Sequence, residues 1–239
     1  SVSSNYNVAI GDSAIGLGVL TGANNVALGQ QAGYDLTSGH SNVLTSYRAG
    51  FNLTTGAYNV LTGYQAGQNA TTPSHTIAIG YNAIGLGVLT GSQNTAIGNQ
   101  AGTDLTSGTG NVFAGTTVAQ QATTGSYNIA LGYQAISVGI LTGTDNTVIG
   151  RAAGQDLTGA SNGVLIGLNA GYNATTAAGT IAIGPYAIGL GLLTGDNNVA
   201  IGTSAGYDLT SGTYNNFIGE SAGTNVTTGT YNILQGFSA

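Results

Sequence analysis

The chain of 239 residues has no cysteine, methionine or tryptophan, and Arg48 and Arg151 are its only lysine or arginine residues. Without cysteine there is neither a disulfide framework nor thiol chemistry. Nucleic-acid binding requires a basic surface, so we expect no nucleic-acid partner. No apolar run reaches the roughly 18–20 residues of a membrane helix, so we expect no membrane span.

Charged residues of both signs are scarce: they make up 4% of the chain, against an average of about 25%. Low charge predicts disorder only when hydrophobicity is also low, and here 41% of the residues are hydrophobic. The formal net charge of −6 is too dilute to select a partner. A chain rich in glycine (42 residues), asparagine, threonine and serine is typical of stacked β-structure.

One short sequence, Asn25–Gly29 (NVALG), recurs along the whole chain. With its asparagine as position 0, copies begin at residues 7, 25, 42, 59, 76, 94, 111, 128, 146, 163, 180, 198, 215 and 232. The steps are 17 or 18 residues without gaps, which is the signature of a repeat architecture. Because the chain starts and stops inside a repeat, we expect it to be part of a longer protein.

Each repeat predicts one coil of a β-solenoid or β-roll. The first residues read as a strand ended by glycine, a second strand follows (Ala32 to Thr37 in the second coil), and a Thr/Ser-Gly turn closes the coil. A helix is disfavoured because repeated glycines cost about 1 kcal/mol each in a helix interior. The fold class is therefore all-β, with a single repetitive shaft of about 14 coils over residues 1–239.

The coils also follow a longer period of 52 residues, or three coils. The coils that begin at residues 7, 76, 128 and 180 are 18 residues long and contain segments similar to AIGLGVLTG. One extra coil, residues 59–75, interrupts the first block. In the long coils, apolar residues replace the usual Asp or Asn and predict ridges, facing a neighbouring chain or a partner. These residues are Leu17, Leu86, Val138 and Leu190.

Strand side chains alternate between two faces. We expect positions 1 and 3 to fill the coil and position 2 to point outward. Position 2 is apolar in every coil, so we expect another chain to cover it. Its size order within a block, small to large, favours a parallel homotrimer packed on an axis. The predicted subunit-interface residues are Leu44, Leu61, Phe113, Leu165 and Phe217.

Other residue patterns suggest structural roles. The position-0 asparagines predict a hydrogen-bonded ladder. Asn52, Asn69, Asn173 and Asn225 form sequons for N-glycosylation, although an Asx-turn explains both them and the aspartates at the same position. Those aspartates are at least three coils apart, so a calcium site with six to eight oxygen ligands is not expected.

Catalytic chemistry has little support. His40 and His75 lie in turns without a matched acid, so no nucleophile and base pair is evident, and we expect neither an enzyme nor a cofactor. The Thr array next to the turn leaves ice binding open. Thirteen tyrosines, which provide amphipathic contact surface, leave glycan binding open, although stacking within ladders explains them as well.

The repeat NVAIGxxA, followed by a TTG turn every 17 residues, resembles the repeats of bacteriophage tail-fibre-type proteins and related bacterial surface proteins. Its strand is also similar to that of the YadA-like heads of trimeric autotransporter adhesins, which use a shorter repeat. The resemblance covers almost the entire chain. It implies a trimeric, left-handed β-roll in an extracellular fibre that makes or supports attachment to a host cell, a surface glycan or a receptor.

The function expected from these patterns is a non-enzymatic, self-associating shaft of an extracellular fibre. One alternative is a monomeric solenoid that stacks end to end into a fibril. Another is an ice- or glycan-binding module. The three-coil period fits both the trimer and the monomeric solenoid.

Overall fold

The computed structural model describes residues 6–16 and 19–239, which belong to two compact units, Ser1–Thr117 and Val118–Ala239. Over the residues described, each unit contains seven strands of three residues and no helix. Unit 1 contains β1 (Val8–Ile10), β2 (Val26–Leu28), β3 (Val43–Thr45), β4 (Val60–Thr62), β5 (Ile77–Ile79), β6 (Thr95–Ile97) and β7 (Val112–Ala114). Unit 2 contains β8 (Ile129–Leu131), β9 (Thr147–Ile149), β10 (Val164–Ile166), β11 (Ile181–Ile183), β12 (Val199–Ile201), β13 (Asn216–Ile218) and β14 (Ile233–Gln235).

Within each unit, consecutive strands pair in parallel, and each residue lies opposite the equivalent residue of the next coil. The predicted all-β solenoid of 17–18-residue coils is therefore confirmed. The extra coil, residues 59–75, contributes β4, which pairs with β3 and β5 in the same register. The additional coil thus extends the stack of unit 1 without disturbing it.

Each coil contains one strand, and the second strand predicted from Ala32 to Thr37 is wrong. Residues 30–35 form turns, because Gln31 (φ 57°) and Gly33 (φ 61°) adopt left-handed backbone angles that interrupt an extended segment. The segment still bonds to the next coil, as in the 3.0 Å bond that the Asp35 amide donates to the Phe51 carbonyl. Curved turns therefore stack from coil to coil, and their backbone groups are satisfied as a strand's would be.

Each strand is followed by position 4, where the backbone geometry favours glycine. At Gly29 the backbone has φ 137°, and an added Cβ would lie 2.6 Å from the carbonyl carbon of Ser46 in the next coil. A side chain would therefore strain both the backbone and the coil spacing. Ser46, the one exception in the repeat, has φ 103°.

The predicted orientation of the strand side chains is wrong, because position 2 points into the coil. The middle residue is buried in every strand from β2 to β13, and the residues on either side of it are half-buried or exposed. The five residues expected at a subunit interface are all core residues of their own coils, with 0–2% exposure: Leu44, Leu61, Phe113, Leu165 and Phe217. They are not available to a second subunit.

The interior is filled jointly by position 2 and position 8. The 18-residue coils combine a small residue at position 2 with isoleucine at position 8, as in Ala182 and Ile188, both 0% exposed. Coils with a large residue at position 2 have glycine at position 8, as in Phe217 and Gly223, except that Phe113 occurs with Ala119. An added Cβ at Gly223 would lie 2.5 Å from Phe217 Cδ1.

The same large side chains also reach into the preceding coil. An added Cβ at Gly206 would lie 2.8 Å from Phe217 Cδ2, and one at Gly154 would lie 2.9 Å from Leu165 Cδ1. One large residue therefore fills space in two coils, and the isoleucine of the long coil fills the third. The three-coil period follows from close packing inside a single chain, so the size order at position 2 gives no support to packing on a trimer axis.

Truncation of Phe217 tests this packing. We expect Phe217→Ala to lower the free energy of unfolding by about 3–5 kcal/mol, because the cavity lies against two glycines that cannot fill it. Phe217→Leu is the control and should cost much less, since Leu165 occupies the equivalent position. Urea unfolding followed by circular dichroism measures both, and equal stability of the two variants would contradict the packing scheme.

Candidate interaction surface

A buried ladder of asparagine side chains fixes the coil spacing on which every surface depends. Asn42 Nδ2 donates to Asn25 Oδ1 (3.0 Å) and to the Gly56 carbonyl (2.9 Å). Asn42 Oδ1 accepts bonds from the backbone N–H of Asn59 (3.0 Å) and from Asn59 Nδ2 (2.9 Å). The Asn42 amide therefore has four hydrogen-bond partners, and the residue is 0% exposed. The ladder predicted from sequence is confirmed.

The same pattern recurs in unit 2, where Asn215 Nδ2 donates to Asn198 Oδ1 (3.0 Å) and to the Gly229 carbonyl (2.7 Å). Three coils depart from asparagine at position 0, with Thr76, Gly163 and Thr180. The Thr76 amide still donates to Asn59 Oδ1 (3.0 Å), but the buried hydroxyls of Thr76 and Thr180 have no hydrogen-bond partner. These substitutions are weak points of the ladder, because an unsatisfied buried polar group is costly.

Because each residue lies opposite its equivalent in the next coil, positions 1 and 3 of each strand form columns on the outer face of the sheet. We call this surface the sheet face. In unit 1 it comprises Val8, Val26, Val43, Val60, Ile77, Thr95 and Val112 at position 1, with Ile10, Leu28, Thr45, Thr62, Ile79, Ile97 and Ala114 at position 3. In unit 2 it comprises Ile129, Thr147, Val164, Ile181, Val199, Asn216 and Ile233, with Leu131, Ile149, Ile166, Ile183, Ile201, Ile218 and Gln235.

The sheet face contains no charged residue in either unit, and most of its members are valine, isoleucine or leucine. Ile77 is 37% exposed and Ile79 39%, although their strand, β5, is paired with a strand on each side. Scattered apolar side chains are normal on protein surfaces, but a continuous exposed patch marks an interaction site. The sheet face is therefore the surface of each unit most suited to a partner. The sequence analysis predicted that these residues fill the coil, and that prediction is wrong.

The sequon residues bond to neighbouring coils. Asn52 Nδ2 donates to Asn69 Oδ1 (3.0 Å), Asn69 Nδ2 donates to the Leu86 carbonyl (2.9 Å), and Asn173 Nδ2 donates to the Leu190 carbonyl (2.8 Å). The fourth, Asn225, is exposed near the end of unit 2. A glycan on one of the bonded nitrogens would compete with its hydrogen bond to the next coil.

The threonines near the closing turn form a second ladder. Thr37 Oγ1 donates to the Thr54 carbonyl and Thr54 Oγ1 to the Thr71 carbonyl, each over 3.1 Å. Thr158 and Thr210 make equivalent bonds in unit 2. The hydroxyls are used along the stack, which gives this array a structural role.

Aromatic residues also stack from coil to coil. The rings of Tyr47, Tyr64 and Tyr81 form a stack with centroids 5.1 and 5.3 Å apart, and Tyr214 stacks on Tyr231 at 5.2 Å. For these tyrosines the predicted stacking within ladders is confirmed. The histidines lie on either side of Tyr58: the His75 ring is stacked on it at 4.9 Å, and the His40 ring meets it edge-on at 5.0 Å.

The titratable groups of the described residues show few perturbations. Partial burial raises the pKa of the Asp104 and Asp156 carboxyls. Over the residues described, no three His, Cys, Asp or Glu side chains lie close enough together to hold a metal ion. A hollow of about 520 Å³ lies at the end of unit 2 and is lined in part by Val226, Leu234 and Ala239. It is not a pocket in the side of the solenoid.

The part of the chain that the structure describes has no helix long and apolar enough to cross a membrane. No protein-family model matches the chain, and no curated protein is significantly similar to it.

Completing the ladder should stabilise the protein. We expect Thr76→Asn to raise the free energy of unfolding by about 1–2 kcal/mol, because an amide would replace the unsatisfied hydroxyl and add hydrogen bonds. Asn128, in another 18-residue coil, shows that an asparagine fits there, since its Nδ2 bonds the Gly143 carbonyl at 2.9 Å.

The reciprocal change, Asn42→Thr, is the matched control, because it introduces the same hydroxyl into an intact part of the ladder. It should destabilise by about 2–4 kcal/mol, since the Asn59 amides and the Gly56 carbonyl lose partners. Thermal unfolding of both variants measures the difference. Shifts of the same sign in the two variants would contradict the role of the ladder.

Proposed function

We propose that this chain is a non-enzymatic structural repeat of an extracellular fibre, which self-associates as a parallel homotrimer to build a shaft that supports attachment. The observation that carries the proposal is the uncharged, largely aliphatic sheet face, whose side chains are half-buried or exposed while the core is already complete within one chain. A face of this kind favours burial against another molecule. The resemblance to tail-fibre and adhesin-head repeats supports the same reading.

A second copy is the partner that fits this face best. Its side chains repeat at the spacing of paired strands, about 4.8 Å, and a parallel copy presents the same columns at the same spacing. With two cations and eight acidic residues in the whole chain, and none of them on the sheet face, charge gives no alternative means of recognition. Association then depends on apolar burial, as in obligate oligomers.

The test is the native mass of the chain and of a sheet-face variant, measured by light scattering. The native protein should have a mass close to three times the 23.5 kDa of one chain. The double variant Ile77→Lys, Ile79→Lys should be monomeric, because two charges would be buried without partners. Asn99→Lys, Thr116→Lys adds the same charge to exposed positions of unit 1 and should retain the native mass.

Circular dichroism would establish that all three proteins are folded. A native mass equal to that of one chain would contradict self-association. A polydisperse, very large mass in all three proteins would favour end-to-end fibril growth and contradict the trimer.

A further inference from the structure

Each described 18-residue coil exposes a pair of aliphatic side chains that the core does not use and that lie outside the sheet face. We call these pairs the ridges: Leu86 and Val88 in unit 1, and Val138 with Ile140 and Leu190 with Leu192 in unit 2. Their exposures are nearly uniform, at 51–58%. Leu17, which the sequence places in the first ridge, lies outside the described residues.

The ridges lie across the coil interior from the strand. In unit 1, Ile84 is fully buried two residues before Leu86, and an added Cβ at Gly102 would touch both Ile84 Cγ1 (3.7 Å) and Phe113 Cδ2 (2.9 Å). Phe113 comes from the middle of a strand, so the interior separates the two segments. The ridge side chains point away from that interior, and a partner on the sheet face would leave them exposed.

The ridges are held rigidly by the coils on either side. The Leu190 carbonyl accepts a bond from Asn173 Nδ2 in the preceding coil (2.8 Å), and the Leu190 amide donates to the Tyr207 carbonyl in the following coil (3.0 Å). In unit 1, Asn69 and Thr103 hold Leu86 in the same way. A contact made by such a fixed segment costs little ordering entropy.

In unit 2 the two ridges are 52 residues apart, which is three coils or about 14 Å at the spacing of paired strands. The intervening coils place Asp156 and Asn173 in the same column. Along this column, each ridge is therefore followed by two coils that carry a polar residue. Each ridge by itself gives a contact of low affinity, so strong binding requires a partner that contacts several ridges at once.

We propose that the ridges are a second self-association surface, by which assemblies of this chain pack side by side with their ridges matched at three-coil intervals. The occupant is another copy, because this chain's own repeat supplies exposed aliphatic pairs at the same 52-residue interval on an equally fixed scaffold. The aspartates between the ridges disfavour an anionic lipid surface. This proposal rests on the proposed function: association through the sheet face is the first level, and contact between ridges is the second.

Sedimentation velocity over a wide range of protein concentration tests this inference. The ridge variant replaces Val138, Ile140, Leu190 and Leu192 by serine, and the control Tyr214→Ser, Tyr231→Ser removes exposed apolar side chains elsewhere in unit 2. Native protein and control should form species larger than the basic oligomer as concentration rises. The ridge variant should keep the basic oligomer and lose the larger species.

The two levels of association can fail separately. Larger species that persist unchanged in the ridge variant would overturn the ridge inference and leave the sheet-face proposal intact. Larger species that are lost in the ridge variant, while Ile77→Lys, Ile79→Lys has no effect on the basic oligomer, would support the ridges and contradict the sheet face. A native protein that never exceeds the basic oligomer would also overturn the inference.

Discussion

The hydrogen-bonded ladder of buried asparagines is the interaction on which the rest of the structure depends. An amide is suited to this role because it is both donor and acceptor, so Asn42 can bond Asn25 on one side and Asn59 on the other. The carbonyls of the closing turn satisfy its remaining donor. Once this spacing is set, threonines, tyrosines and aliphatic residues all fall into columns, and the repetitive surface is a consequence of a repetitive interior.

The coil interior is too narrow for a large side chain at both position 2 and position 8. Phe217 therefore occurs with Gly206 and Gly223, and Ala182 occurs with Ile188. This complementarity accounts for the three-coil period without a second subunit. It also leaves the side chains at positions 1 and 3 outside the coil. The apolar surface available for self-association is therefore formed by positions 1 and 3, and not by position 2 as the size alternation suggested.

Sequence alone predicted the repeat, the parallel stacking, the asparagine ladder and the stacked tyrosines, because each depends on the identity of one residue at a fixed interval. It did not predict which strand face is inside, since both faces are apolar and alternation alone does not distinguish them. The glycine at position 8 opposite Leu165 or Phe217 was the signal that could have decided it. The turn was missed because Gln31 has a left-handed backbone at a position where no glycine marks it, and Gly33 alone did not rule out a strand.

The most direct test of this account is hydrogen exchange at the asparagine side-chain amides, followed by nuclear magnetic resonance. Side-chain amide protons exchange rapidly with water unless they are buried and bonded, so the Nδ2 protons of Asn42, Asn59 and Asn215 should exchange far more slowly than those of exposed Asn99. Equal, rapid exchange at all four residues would show that the amides face water, and would contradict a stack built on a buried asparagine ladder.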